Sequence, residues 1–139
     1  MLKIIGSIER CALKDLGIPE IDARIDTGAK TSSIQATNIK VIKKGKQKWA
    51  TFEVNYQFND KDFSISCEAP LVARRTVKTS NENSEKRYII KTPMTLGNAT
   101  YEVEFTLANR ETMEFKMLLG REALNGRFLV NPAETYLLK

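Results

Sequence analysis

The chain has 139 residues, a formal net charge of +5, two cysteines and no histidine. This length predicts a single domain over residues 1–139, and no apolar run approaches the roughly 20 residues that a membrane-spanning helix needs. Zinc sites are built mainly from cysteine and histidine, and Ser-His or Cys-His nucleophiles also require histidine. The composition therefore disfavours those mechanisms and leaves chemistry by carboxylates.

The first chemical motif follows an apolar stretch that ends at Ile25. The sequence Asp26-Thr27-Gly28-Ala29 places a carboxylate on a tight loop directly after this predicted strand. Gly28 lets the backbone turn and approach a reacting group, Thr27 offers a hydroxyl to brace the loop, and Ala29 leaves the site uncrowded. Asp26, Thr27 and Gly28 are our candidate catalytic residues. The alternative is an ordinary turn, in which Asp and Gly are also common.

Two charged residues flank this loop. Lys30 follows it directly, where a cation would lower the pKa of a nearby carboxyl or hold an anionic substrate group. We assign Ala29 and Lys30 as candidate substrate-binding residues, with an outward-pointing lysine as the alternative. Asp22 lies four residues before Asp26, and we expect it to be a solvated residue near a turn rather than a second catalyst.

Both cysteines lie in stretches where apolar and polar residues alternate. Because Cys11 and Cys67 have no Cys-x-x-Cys partners, we expect two reduced thiols in the core rather than a disulfide. The short apolar stretch of residues 2–6 is too meagre for a signal peptide. These observations predict a soluble cytoplasmic protein.

Alternation predicts a β-hairpin in the middle of the chain. Apolar residues recur at every second position of residues 49–58 and again of residues 63–67, with Asn59-Asp60 between them as a turn. A second hairpin is predicted from residues 88–93 and 101–107 around Gly97-Asn98. Pro93 indicates a sheet edge or a strand end at that position, because proline has no N–H to donate a hydrogen bond to a neighbouring strand.

The sequence signals for the remaining elements are weaker. The alternation continues at Met113, Phe115 and Met117, and residues 122–125 are the only predicted helix. The polar stretch 79–86 predicts a loop, either a passive surface loop or a cover over a cleft. Short, evenly spaced strands joined by polar turns favour a closed or nearly closed all-β body.

The end of the chain supplies a second motif. An apolar strand ends in Gly120-Arg121 and is followed by a short helical turn and by an apolar strand at residues 128–130. With this order of motifs the chain resembles the retropepsin-like aspartic peptidases. More closely, it resembles the bacterial family usually named ATP-dependent zinc proteases, whose genes often accompany glutamate ligases that modify a ribosomal protein. The matching segments, which span about residues 5–138, are 15–18, 23–36, 75–77, 87–90, 105–107, 117–121 and 126–132.

The resemblance implies a retropepsin-like closed β-barrel with one short helix, in which the paired Asp26 carboxylates of a homodimer activate water. It also implies a structural ion pair or hydrogen bonds for Arg121 and a close crossing of another segment at Gly120. Arg75 and Arg87 lie in matching segments, and we assign them as candidate substrate-binding residues. Plain surface arginines are the alternative.

The family often carries a histidine where this chain has Gln35, which can form hydrogen bonds but cannot titrate. A zinc site is therefore not expected. No Gly-rich Lys-Ser/Thr phosphate loop is present to bind ATP. We predict that no metal, nucleotide or other cofactor is required.

Basic residues cluster at residues 40–48 and 74–78. A charge run is usually a solvated surface; the alternative is a funnel for an acidic partner, which is a glutamate-rich peptide or nucleic acid. No helix-turn-helix, zinc finger or base-stacking motif favours nucleic acid. The sequence therefore predicts a homodimeric aspartic endopeptidase acting on acidic or glutamate-rich peptides, without nucleic-acid or membrane partners. The alternative function is a peptidase-fold module that binds acidic peptides without cleaving them.

Overall fold

The structure is a computed structural model that describes residues 2–78, 84–109 and 114–138. The strands are β1 (Lys3–Ile5), β2 (Ile8–Leu13), β3 (Ile18–Ile25), β4 (Ser32–Gln35), β5 (Thr37–Lys44), β6 (Gln47–Phe58), β7 (Lys61–Lys78), β8 (Ser84–Leu96), β9 (Ala99–Ala108), β10 (Met117–Leu119) and β11 (Phe128–Val130). A 3-10 turn covers Lys14–Leu16 and helix α1 covers Arg121–Leu124. Within the described ranges, no helix is long and apolar enough to cross a membrane.

Six strands form a closed barrel at the centre of the fold. Their spatial order is β2, β3, β10, β4, β9 and β8, and an antiparallel pairing of β2 with β8 closes the ring. Buried side chains such as Ile21, Ile34 and Phe105 fill the interior. Closure gives each of these strands a neighbour on both sides. The predicted closed all-β barrel with one short helix is confirmed.

A three-stranded extension continues the sheet beyond the barrel. The first part of β7 pairs with β6 and its second part pairs with β8, so β5 and β6 lie outside the ring. The predicted hairpin of residues 49–58 and 63–67 is confirmed as β6 and β7. Its two turn residues, Asn59 and Asp60, have φ angles of 51° and 62°, which matches the positive φ that a tight hairpin turn requires.

The second predicted hairpin is also present, as β8 and β9. Gly97 in its turn has a φ of 64°, a conformation that glycine adopts without steric cost. β8 pairs with β7 up to Ile90 and with β2 from Thr95 onward. Pro93 lies between these pairings, where one edge of β8 has no strand partner among the described residues, as its missing N–H requires.

The predicted loop over residues 79–86 is wrong at its C-terminal end. Ser84, Glu85 and Lys86 belong to β8 and continue its ladder with β7. Their side chains are exposed, so this part of the hairpin is stabilised by backbone pairing and shows no apolar alternation. Residues 79–83 lie outside the described ranges.

Two further boundaries differ from the prediction. β10 begins at Met117, and Phe115 precedes it without belonging to a strand, while Met113 lies outside the described residues. The predicted helix of residues 122–125 is present one residue earlier, as α1. The 3-10 turn was not predicted, since three residues are too few to show a helical period.

Both cysteines are free and buried, so the prediction of reduced core thiols is confirmed. Burial raises the pKa of Cys67 to about 12. Burial, with a smaller contribution from Asp22, also raises the pKa of Cys11. Both thiols therefore favour the neutral form, which is a poorer nucleophile than the thiolate.

A buried carboxylate ties both ends of the chain to the barrel. Glu9 on β2 is fully buried, and its Oε2 accepts hydrogen bonds from the N–H groups of Gly6 at 2.7 Å and Leu137 at 2.9 Å. Its Oε1 accepts a third from the N–H of Leu138 at 3.2 Å. β1 and β11 pair beside this cluster as a separate parallel sheet. The carboxylate thus holds the C-terminal segment together with backbone bonds, such as that from the N–H of Tyr136 to the carbonyl of Ile8 at 2.9 Å.

Candidate active site

The loop of residues 26–31, here called the Asp26 loop, lies where β10 passes between β3 and β4. β10 is parallel to β3 and antiparallel to β4. A chain that leaves β3 must therefore cross the end of β10 before it enters β4. This crossing brings Thr27 next to Arg121, although 94 positions separate them in the sequence.

Backbone hydrogen bonds hold the loop at both ends. The N–H of Asp26 donates to the carbonyl of Leu119 at 2.9 Å, and the N–H of Arg121 donates to the carbonyl of Ala29 at 2.8 Å. The guanidinium Nη1 of Arg121 also donates to the carbonyl of Thr27 at 2.9 Å. Arg121 thus makes the structural hydrogen bonds implied by the resemblance, and it makes them to the loop backbone.

The start of α1 fixes the far end of the loop. The N–H of Glu122 donates to the carbonyl of Lys30 at 3.0 Å, and the Thr31 hydroxyl donates to the Glu122 carboxylate at 3.0 Å. These bonds satisfy one of the unpaired N–H groups at the start of the helix. The loop is therefore anchored to β10 and α1 by main-chain and side-chain groups together.

Gly120 lies directly beneath the loop. A Cβ atom at this position would be 2.9 Å from the carbonyl oxygens of Ala29 and Thr31, which is closer than such atoms approach in folded proteins. Its φ of −95° and ψ of −178° are open to every residue, so the requirement for glycine is purely steric. The N–H of Gly120 donates to the buried hydroxyl of Ser32 at 3.0 Å. The close crossing implied by the resemblance is present.

The carboxylate of Asp26 is half-buried and held on one side. Its Oδ1 accepts a hydrogen bond from the N–H of Gly28 at 2.9 Å, and the N–H of Ala29 donates to its backbone carbonyl at 3.2 Å. Its Oδ2 has no hydrogen-bond partner within the part of the chain that the structure describes. One oxygen is thus oriented by the loop, and the other is available to a water molecule or a substrate.

The other loop residues are placed as follows. Thr27, Gly28 and Lys30 are exposed, and Ala29 is half-buried above Gly120. Lys30 forms no ion pair with any described residue. Its ammonium group is therefore free to contact an anionic ligand near Asp26, which keeps the predicted substrate-binding role open.

Arg75 on β7 and Arg87 on β8 are directly opposite each other in the strand pairing. Arg75 forms an ion pair with Glu104 at 3.4 Å, and Arg87 forms one with Glu85. Neither arginine has a hydrogen bond to the loop among the described residues. The structure brings the two together as a pair on the hairpin, each already matched by a carboxylate.

Asp22 and Gln35 have structural partners. Asp22 lies within β3 rather than near a turn, is half-buried, and pairs with Arg10 at 3.7 Å. Gln35 is fully buried and accepts a hydrogen bond from the N–H of Asn55 at 2.8 Å, while its Nε2 has no partner among the described residues. Gln35 thus links β4 to β6.

Sequence reasoning missed two residues that shape the site. Ser32 is buried beneath the loop and accepts the N–H of Gly120, and Glu122 receives the Thr31 hydroxyl. For Ser32 the local sequence gives no signal, because β4 reads Ser-Ser-Ile-Gln and its burial comes from the tertiary fold. For Glu122 no sequence signal exists, because its partner lies 91 positions away. In the described ranges, no group of three or more His, Cys, Asp or Glu side chains could hold a metal ion.

Comparison with known proteins identifies the family and the fold. The model of the RimB-like family, described as the retropepsin-like aspartic endopeptidase RimB, matches residues 4–139. A crystal structure of Lpg0085, a Legionella pneumophila protein of unknown function, superposes with a TM-score of 0.82 at 29% identity, covering 99% of this chain and 98% of that one.

Curated relatives are longer proteins. A probable alpha-L-glutamate ligase of Shewanella pealeana is 47% identical over 97% of this chain, and one of Desulfotalea psychrophila is 46% identical over 94%. The chain spans 30% and 28% of the length of these two relatives. The family description mentions neither zinc nor ATP. Because the family model matches nearly the whole chain, the protein belongs to the RimB-like family of retropepsin-like aspartic endopeptidases.

Proposed function

We propose that the protein is an aspartic endopeptidase that acts as a homodimer, with the Asp26 carboxylates of the two copies activating water. The observation that carries this proposal is the Asp26 carboxylate itself, which has one oxygen fixed by Gly28 and the other unpartnered within the described chain. Backbone hydrogen bonds, from Asp26 to the carbonyl of Leu119 and from Arg121 to the carbonyl of Ala29, anchor its loop at both ends. A rigid loop with one free carboxylate oxygen is what a general base needs.

The second copy follows from the chemistry. Aspartic peptidase catalysis uses two carboxylates that share one proton, because two like charges so close cannot both ionise; this enzyme class is the standard example of the effect. Within the described residues, Asp26 forms no hydrogen bond with another carboxyl group. A second Asp26, supplied by another copy of the chain, would complete the pair.

The proposed mechanism has two steps. The ionised Asp26 removes a proton from a bound water while the protonated Asp26 of the other copy donates a hydrogen bond to the peptide carbonyl. Water then adds to the carbonyl carbon to give a tetrahedral intermediate. The carboxyl that took the water proton passes it to the departing amine, and the peptide bond breaks. No metal, nucleotide or other cofactor enters this sequence.

The proposed substrate is an acidic or glutamate-rich peptide. The net charge of +5 favours encounter with acidic chains, and the exposed Lys30 belongs to the same loop as Asp26. Arg75 and Arg87, opposite each other on β7 and β8, are paired with Glu104 and Glu85 and would bind an acidic substrate only by exchanging these partners. The curated relatives are named as glutamate ligases, so glutamate-bearing proteins are a chemically related substrate class. The proposed compartment is the cytoplasm, where thiols such as Cys67 stay reduced.

Asp26→Asn tests the proposal directly. We expect hydrolysis of a glutamate-rich peptide, followed by mass spectrometry, to fall by several orders of magnitude. The thermal midpoint should stay near that of the wild type or rise, because two close like charges are removed. Asp22→Asn is the matched control and should retain activity. Unchanged hydrolysis by Asp26→Asn protein would contradict the assignment.

Mixing the two proteins tests the dimer. If both Asp26 residues of a dimer are needed, excess Asp26→Asn chains will capture wild-type chains in inactive heterodimers. Activity per wild-type chain should then fall as the variant is added and the dimers exchange. A monomeric enzyme would keep its activity per wild-type chain. Peptide binding without cleavage, together with monomeric sedimentation, would favour the alternative of a non-catalytic module that binds acidic peptides.

A further inference from the structure

Strand β5 forms a free edge of the sheet. Within the described ranges β6 is its only strand partner, so the other side of β5 has no neighbour. The register is irregular between Thr37 and Lys40 and regular from Lys40 to Lys44. Alternate residues of such an edge direct their N–H and C=O groups away from the sheet. A regular stretch of about 17 Å is therefore open to a further strand.

The same edge carries exposed apolar side chains. Val41 is 41% exposed and Ile42 is 37% exposed. Because adjacent residues of a strand point to opposite faces, one apolar side chain lies on each face of β5. A strand added to β5 would cover part of both. Unpaired backbone groups together with apolar surface are typical of sites where an extended peptide binds by strand addition.

The charges around this edge have one sign. Residues 27–52 contain no Asp or Glu, whereas lysine occurs at positions 40, 43, 44, 46 and 48. All of these lysines are exposed. In the part of the chain that the structure describes, only Lys44 forms an ion pair, with Glu68. The other four charges are not neutralised by the protein, so the edge attracts anionic groups.

Two of these lysines face each other across the hairpin. Lys43 on β5 is directly opposite Lys48 on β6 in the strand register. Like charges in directly opposite positions destabilise a sheet. Neither lysine has a carboxylate partner among the residues described. An anionic group bound beside them would remove this repulsion, and this second observation is independent of the free backbone edge.

The lysines and the backbone together favour one occupant. A second copy of β5 would bring its own lysines against these, which is how edge lysines prevent self-association. Nucleic acid has no peptide backbone to complete the ladder. The nearest tryptophan, Trp49, is covered by the Nζ of Lys44, which lies 4.5 Å from the ring centroid, so it offers no open face for a base. An extended acidic peptide matches both the backbone and the charge.

We propose that the free edge of β5 binds an acidic polypeptide segment, which adds to the sheet as a further strand. The backbone of the segment pairs with Lys40 to Lys44, and its carboxylates lie against Lys43 and Lys48. β5 makes none of the backbone hydrogen bonds that anchor the Asp26 loop. The proposal concerns binding alone and does not depend on hydrolysis at Asp26.

Peptide binding to the full chain carrying Asp26→Asn tests the proposal. Fluorescence anisotropy of labelled hexaglutamate is compared with that of hexaglutamine and of hexaglutamate methylated at every peptide nitrogen. We expect saturable binding of hexaglutamate and at least about tenfold weaker binding of the other two, because one lacks the charge and the other lacks the N–H donors. Bound hexaglutamate should also slow amide hydrogen exchange in residues 40–44.

Variants locate the bound peptide. Lys43→Met combined with Lys48→Met should weaken hexaglutamate by at least about threefold. The thermal midpoint of this variant should stay the same or rise, because the opposed charges are gone. Lys61→Met combined with Lys86→Met is the matched control, since it removes two exposed charges that lie on other strands. This control and Lys30→Met should change the affinity by less than about twofold at 0.15 M salt, where the Debye length is about 8 Å.

The proposal is overturned if hexaglutamate shows no saturable binding or if the methylated peptide binds equally well. Equal weakening in the two double variants would mean that net charge alone attracts the peptide. Weakening by Lys30→Met, with none in the Lys43 and Lys48 variant, would place the peptide at the Asp26 loop instead. A deoxythymidine hexamer that binds as tightly as hexaglutamate would likewise refute the proposal, since the edge would then attract any polyanion.

Discussion

Gly120→Ala tests whether the close crossing beneath the Asp26 loop is required for the site. The added Cβ would lie 2.9 Å from the carbonyl oxygens of Ala29 and Thr31, so the loop must move by roughly 0.5 Å to restore an ordinary contact of about 3.5 Å. Overpacking of this kind costs about 1–3 kcal/mol. The lower entropy of the unfolded alanine chain offsets about 0.4–1 kcal/mol of that. We expect a net loss of about 1–2 kcal/mol in the free energy of unfolding.

The functional effect should be larger than the effect on stability. Displacement of the loop moves the Asp26 carboxylate, and small misplacements of a catalytic group reduce rates by roughly 10- to 100-fold. Peptide hydrolysis and urea unfolding measure the two quantities. Amide exchange at Asp26 and Arg121 provides a third readout, since their N–H groups bond across the crossing. We expect faster exchange at both positions in the variant.

Gly45→Ala is the matched control. Gly45 lies in the turn between β5 and β6 with a φ of 64°, and a Cβ there would meet nothing within 4 Å. Placing alanine in the left-handed region costs about 1–2 kcal/mol, which is close to the cost expected for Gly120→Ala. The control should lose stability and keep activity. Full activity and unchanged stability in Gly120→Ala, or equal loss of activity in both variants, would refute the reasoning.

Four further predictions follow from the charges and the buried groups. Glu9→Gln places an amide NH₂ group against one of the three N–H donors that the carboxylate now accepts. The free energy of unfolding, measured with urea, should fall by about 2–4 kcal/mol. A change below about 0.5 kcal/mol would show that the carboxylate is dispensable. Burial raises the pKa of Cys67 from 9.0 to about 12. Burial, opposed by Arg127, raises that of Tyr101 from 10.0 to about 12. The folded chain therefore keeps protons that the unfolded chain releases, and stability measured by thermal melts should fall as pH rises from 9 to 12. The rate of cleavage of acidic peptides should fall more steeply with salt than that of neutral peptides. The reason is that the Debye length falls from about 10 Å at 0.1 M to about 3 Å at 1 M. Lys30→Met should reduce the difference in salt dependence between the two kinds of peptide. Chelators should leave activity intact, and activity lost on chelation and restored by zinc would overturn the carboxylate mechanism.

The strands that could be predicted from sequence are those with one buried face. In β6 and β9 every second residue contacts the core, so the alternation of residue types reports the strand directly. The first residues of β8 gave no such signal, because Ser84, Glu85 and Lys86 are exposed and pair with β7 through their backbone alone. β10 has only three residues, which is too short for a periodic pattern.

The candidate site likewise contains residues that the sequence indicates and residues that it does not. The turn of Asp26 and Gly28 could be predicted because the carboxylate and the glycine whose N–H it accepts are only two positions apart. The groups that hold the loop could not be found in this manner. Ser32 acts on Gly120 at a separation of 88 positions, and nothing in either local sequence indicates the partner. The carboxylate of Glu9 was missed for the same reason.

The crossing of β10 beneath the Asp26 loop also determines when the site can form. The loop follows β3, but Arg121, which bonds to the carbonyl of Thr27, lies 94 positions later in the sequence. Contacts between such distant segments form slowly, because a long loop must close before they stabilise anything. A nascent or partly folded chain therefore carries the Asp-Thr-Gly sequence without an ordered carboxylate.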